Sequence, residues 1–204
     1  MKRAILHVVL IAGIIVLAYL VYNSIHKVTS FNAEEDFRID VVSKKMKDIR
    51  RVQSAYKAKY ERYASTWDTL LTFMHEDSLP VVMKTGNVPD SLTEMKALEM
   101  GLVTRDTSYV RVKDSLYNPD KVDYKSRQIC LIPFSTRNGE EPADTFQMDA
   151  GSIDRGNIEV PVFEIVAPKE SYLKGLDEDL IARDRSIDLK LGSMEEATTD
   201  GNWE

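Results

Sequence analysis

Three histidines, one cysteine and a cluster of acids beside two glycines are the residues whose types could do chemistry in this 204-residue chain. His7 lies in an apolar run, His26 just after it, and His75 in a candidate helix. No two of them share helical spacing, so they do not form a zinc site. Cys130 sits in "QICLIPF", which reads as a strand. A buried structural thiol is the reading there, because no base is identifiable to make it a nucleophile. As the sole cysteine it leaves no intrachain disulfide, so the fold depends on packing. "DAGSIDRGNIE" collects Asp149, Asp154, Asn157 and Glu159, but without the alternating ligand order of a calcium loop. It reads as a polar loop between strands. G-x-S-x-G, P-loop and G-x-G-x-x-G patterns are absent. Carboxylates are numerous, yet no pair is singled out as catalytic. The expectation is a chain with no catalytic residues, no cofactor and no metal.

Charge carries more information. The formal net charge is −6, which argues against nucleic acid as the main partner, since phosphate binding needs a basic field. Against that background, Lys44 to Arg62 holds eight Lys or Arg and two acids, Asp48 and Glu61. Lys44, Lys45, Lys47, Arg50 and Arg51 form its basic face. A solvated helix face is the default reading. The alternative is electrostatic pairing with an acidic partner or an anionic membrane surface, and the latter needs the helix to fold back toward the lipid.

The element that fixes the address is "AILHVVLIAGIIVLAYLVY", Ala4 to Tyr22, nineteen residues without Asp, Glu, Lys or Arg. As a helix it spans roughly 28 Å, close to the hydrocarbon thickness of a bilayer. Ile11 and Gly13 lie at its centre, His7 is near the charged end, and Tyr19 and Tyr22 stand where an aromatic belt would place them. The run is longer than a secretory h-region, and no small-x-small site follows it, so it reads as an uncleaved anchor. Lys2 and Arg3 flank one end, Lys27 and Arg38 the other. Charge counting is nearly a tie. A long following domain translocates regardless of its charge, which favours a cytoplasmic N-terminus and a periplasmic body, in the inner membrane. The lipid bilayer is the first expected partner.

Beyond the anchor, Asn32 and Glu35 make a capping-box pattern, which predicts a helix from Ala33 to about Tyr60. Whether it continues the anchor helix is left open by "VTSFN". Val42, Met46, Ile49, Val52, Tyr56 and Tyr60 trace one apolar face. Docking on the chain's own sheet is the default for such a face; a second copy or another subunit would cover it otherwise. A second helix is predicted after a Ser65 cap, with Pro80 beyond its end. A third is predicted from a Ser91 and Glu94 capping box to Gly101, with Leu92, Met95 and Leu98 inward. "TSYVRVK" reads as a strand with Val110 and Val112 on one face. "RQICLIPFSTRNGEEPADTFQMD" reads as two strands about Asn138-Gly139, and "NIEVPVFEIVAP" as a further strand. "ESYLKGLDEDLIARDR" predicts a terminal helix, weakened at Gly175, and the polar tail from about Ser186 is expected to be disordered.

The order of parts resembles that of type IV pilin-like proteins and the pseudopilins of secretion systems. "DIRRVQSAYKAKYERYASTWDTLLTF" is similar to the region where pseudopilins carry a Gln/Ala/Tyr-rich helix, then "RY", then a short Asp-Leu-containing helix. The resemblance implies that Ala4–Tyr22 packs in a filament core and that an α+β head begins near Tyr63. The family's leader ends in Gly directly before Phe or Met, with Glu five residues into the mature chain. Here Gly13 lies in mid-run and no acid falls within it.

The expected architecture is α+β: an N-terminal transmembrane helix, an amphipathic stalk helix, then a head with a mainly antiparallel sheet and flanking helices. Its divisions are an anchor at 1–26, linker and basic helix at 27–62, head at 63–185 and tail at 186–204. The expected role is structural or in assembly, without a reaction, through a protein partner or homo-oligomer. A filament subunit and a membrane-tethered ligand-binding module are the alternatives.

Overall fold

A computed structural model describes residues 2–86, 93–116, 129–136 and 142–204. Its element order is α1 (Lys2–Tyr60), α2 (Trp67–Glu76), β1 (Ser78–Gly86), α3 (Glu94–Glu99), β2 (Val103–Arg111), α4 (Val112–Leu116), β3 (Gln147–Asp154), β4 (Glu159–Ala167), α5 (Lys169–Tyr172), α6 (Glu178–Arg183) and β5 (Leu189–Gly192). Two antiparallel sheets result, β1-β2 and β3-β4-β5. With one long helix and several short ones, this is an α+β head built on an extended N-terminal helix.

α1 runs unbroken for 59 residues, roughly 88 Å. "VTSFN" does not interrupt it, for a local reason. The Thr29 hydroxyl donates to the Ile25 carbonyl at 2.9 Å and the Ser30 hydroxyl to that of His26 at 2.8 Å. Hydroxyls that can cap a helix here bond back to the preceding turn and are absorbed into it. The helix stops at Glu61, whose φ of 59° is the left-handed conformation of a C′ residue.

The apolar face of α1 is the centre of the head. Val42, Met46, Ile49 and Val52 are fully buried and Tyr56 nearly so, in one cluster with Leu70, Phe73, Phe163, Ile165, Leu189 and Leu191. The chain itself therefore covers the face that another subunit would otherwise have to cover. Tyr60, at the end of the row, stays exposed. In the three-stranded sheet Ile165 pairs with Met148 on one side and Leu191 on the other, giving the core a continuous apolar row.

Several sequence expectations are corrected. The tail from Ser186 is not disordered along its length: Leu189 and Leu191 alternate inward on β5, and Gly192 turns at φ +75° where a Cβ would meet the Phe163 carbonyl oxygen at 2.3 Å. "SLPVVMKTG" forms β1, with Pro80 opposite Tyr109, although its unbroken apolar run hides the period of a strand. β2 ends at Arg111, and buried Val112 opens α4. Cys130 lies in a turn beside an isolated Leu131–Thr145 bridge rather than in a strand. Most of "DAGSIDRGNIE" is strand, with the turn at Arg155–Ile158. Thr66, not Ser65, caps α2, its hydroxyl accepting from the Thr69 N–H. In α3, Ala97 faces inward while Met95 and Leu98 are exposed, and Thr93 holds the cap position. Gly175, at φ +86°, splits the expected terminal helix into α5 and α6. The Ser91 cap, Leu92 and the Asn138-Gly139 turn lie outside the described residues.

Ile49→Ala should cost about 2–5 kcal/mol of stability, the range for an emptied core site. The check is the midpoint of chemical unfolding in detergent. Lys44→Ala, on the exposed side of the same helix, should stay within about 0.5 kcal/mol.

Candidate membrane anchor and its junction with the head

The apolar half of α1 projects free of the head. Its most apolar eighteen-residue window has mean hydropathy 1.5 and none of it is buried. Ile11 is 57% exposed and Tyr22 67%, and nothing approaches within 4 Å of where a Gly13 side chain would begin. The side chain of Ala4 lies outside the described residues. α1 is the one described helix long and apolar enough to cross a membrane. Tyr22 and His26 approach with ring centroids 5.9 Å apart where the run ends.

Contacts with the head begin immediately beyond. Lys27 Nζ lies 2.6 Å from Asp177 Oδ2, and this cation holds the Asp177 carboxyl below its ordinary value. Asp177 is also the N-cap of α6, accepting from the N–H groups of Asp179 and Leu180. Phe31 is the first buried apolar residue of α1 beyond Tyr22. Arg38 then donates to the Tyr172 and Lys174 carbonyls at 3.1 and 3.0 Å, closing the end of α5, and to Glu34 at 2.8 Å. Its guanidinium stands 4.9 Å from the centre of the Phe134 ring.

The basic face divides. Lys44 pairs with Asp40 and Arg51 with Asp48, both along the helix. Lys45 turns inward and donates to the Leu131 carbonyl at 2.6 Å, and burial lowers its pKa. Lys47 and Arg50 hold the C-terminal segment. Arg50 donates to both carboxylate oxygens of Glu204, at 3.1 and 3.2 Å, and to the Thr199 carbonyl at 3.2 Å. Lys47 stands 3.4 Å from Glu204. Arg50 draws the Glu204 carboxyl below its ordinary value. For Lys47 and Arg50 the acidic partner is the chain's own tail.

Three polar residues of α1 are buried, Glu35, Ser43 and Gln53, and the sequence reading places none of them in the core. Gln53 is fully buried; its amide donates to the Ala64 carbonyl at 2.9 Å and accepts from the Ala64 N–H at 3.0 Å, pinning the chain after α1. Glu35 is also buried, facing Asp184, Lys169 and Ser186. The signal was in the spacing: 35, 39, 42, 46, 49, 53, 56 and 60 step by three and four without a break. Glu35 and Gln53 both sit on that row; Glu35 reads as a partner of an Asn32 cap, which the unbroken helix removes, and Gln53 is omitted for being polar.

A groove of about 450 Å³ opens where α1 ends, between Tyr56, Glu61, Tyr63 and Ser65 on one side and Ser152 and Glu159 on the other. Its ionisable groups do not converge on a point. Among the described residues, no three His, Cys, Asp or Glu side chains are placed to hold a metal ion. His7 and His75 are exposed on separate helices, and Cys130 is buried near Lys45. Set against family models, curated proteins and solved structures, the chain matches none.

Burial raises the Glu35 carboxyl above its ordinary 4.5. Asp184, which burial alone would raise, is drawn down to about 2 by hydrogen bonds from Ser186 and by Lys169. Glu35 thus holds its proton more tightly folded than unfolded. Its contribution is complete below pH 4.5 and is lost as pH rises through the folded pKa. Asp184 stays ionised through that window. Glu35→Gln should therefore melt above wild type at pH 8, with the difference shrinking toward pH 4; parallel thermal melts across that range provide the check.

Proposed function

We propose that this chain is a single-pass membrane-anchored envelope protein that acts through protein–protein contacts and carries out no reaction of its own. The observation that carries the reading is the division of α1. Its lower half is apolar and uncovered from Leu10 to Ile25, and its upper half is the core of the head. An apolar rod of this length has no stable place in water. The N-terminus lies in the cytoplasm and the head in the periplasm, on the ground that a long following domain translocates regardless of its charge.

Contact with a protein partner has its own support. On the β1-β2 arm and neighbouring α3, Val82, Met83, Met95, Met100, Leu102 and Tyr109 are all at least 47% exposed. Val82 and Tyr109 share one face of the ribbon and Met83 stands on the other; exposed apolar side chains on such an arm suit contact with a partner, and methionine adapts to irregular ones. A pilin-like filament subunit is the second reading. It is favoured by one continuous helix that leaves its apolar half free for neighbouring copies while an α+β head encloses the rest.

The chain should remain with membranes through alkaline carbonate extraction, and protease added from the periplasmic side should digest the head. Introducing Ile14→Arg with Leu17→Arg, each costing about 2.5–3.5 kcal/mol at the centre of a span, should release it. Filaments by electron microscopy would select the second reading. Recovery of the wild-type chain in the soluble fraction would end both.

A further inference from the structure

The Lys27–Asp177 contact marks the height of the head above the lipid, provided the anchor reading holds. The apolar run ends at Tyr22 and α1 continues without a break. Lys27 therefore stands about 7.5 Å further along the axis. The polar layer flanking the hydrocarbon is roughly 5–8 Å deep on each side. Asp177, 2.6 Å from Lys27 Nζ, begins α6 at this level. Ile25 and Val28 are exposed and apolar on α1 itself just there, 63% and 44%. A head held away from the membrane would leave both facing bulk water.

We infer that the turn that opens α6, from Asp177 to Asp179, rests in the phospholipid headgroup layer. The rest of α6 climbs away from it, since Asp184 and Ser186 face Glu35, about 12 Å further along α1 than Lys27. At the turn itself, exposed Glu178 and Asp179 offer carboxylates to headgroup amines. An acidic turn matches zwitterionic amine-bearing headgroups better than a purely anionic surface. The opposite end of the head lies far away. Glu159 lines the groove with Glu61, and Glu61 is about 50 Å along α1 from Lys27.

The experiment places one fluorophore at a time on the full-length chain in phosphatidylethanolamine/phosphatidylglycerol vesicles. Glu178→Cys, Asp179→Cys, Glu159→Cys and Leu17→Cys carry the label, and the wild-type chain with its buried Cys130 is the blank. A headgroup-linked nitroxide should quench the labels at 178 and 179 roughly threefold or more over that at 159, given the distance between the two ends. An acyl-chain nitroxide should quench the label at 17. If 17 is quenched but 178 and 179 match 159, the head stands clear of the lipid and this inference fails alone. If 17 is not quenched, the anchor reading fails and this inference with it.

Discussion

Burial of one side of α1 between Phe31 and Tyr56 is the constraint on which the rest of the head depends. The β3-β4-β5 sheet offers an apolar surface only a few residues long on each strand, and the strands come from distant parts of the chain. α2 is ten residues long, and the other head helices are shorter. Such pieces have little stability apart. α1 supplies the long, regular surface against which they assemble, and its own cooperativity is secured by the same contact. A change that uncovers Ile49 or Val52 therefore acts on the sheet and α2 together.

The polar interactions direct this assembly rather than drive it. Arg38 closes α5, Gln53 pins the chain after α1, and Arg50 with Lys47 draws the C-terminal segment alongside the helix. Arg50 and Glu204 are both partly exposed, and solvent-screened ion pairs of that kind contribute little to stability. Their effect is on placement: they select which surface β5 and the residues after it lie against. Gln53 is different, because its carbonyl and amide are both satisfied without water, and a substitution would leave Ala64 with unpaired backbone groups.

The long elements were legible and the short ones were not. The apolar face of α1 and the strand β4 follow from period and composition, since each holds many residues on one pattern. β5 has four residues in a polar stretch, so two leucines could not outweigh their flanks. β1 carries Pro80 and three consecutive apolar residues, which conceals alternation. The caps of α2 and α3 slipped because several Ser and Thr residues compete for one position, and local geometry rather than residue type decides. Glu35 and Gln53 show the opposite failure: both lie on the apolar row, but Glu35 reads as a cap partner and Gln53 as no part of the face, because burial of polar residues follows from tertiary partners, here Asp184 and Ala64.

On the proposed anchor reading, one helix serves as both membrane span and core, and the two cannot move independently. A flexible linker would let the head sample every orientation over the bilayer. Here Phe31, the first buried residue after Tyr22, lies within three turns of it, and Lys27 and Arg38 join α1 to α6 and α5 before and after that point. On the same reading, any tilt of the span is carried into the head as a rigid rotation. Leverage grows with distance from the lipid, so a small tilt displaces the far end of α1 by several ångströms while scarcely moving α6. A partner engaging the exposed apolar arm would meet a surface whose orientation is already set, which lowers the entropic cost of association.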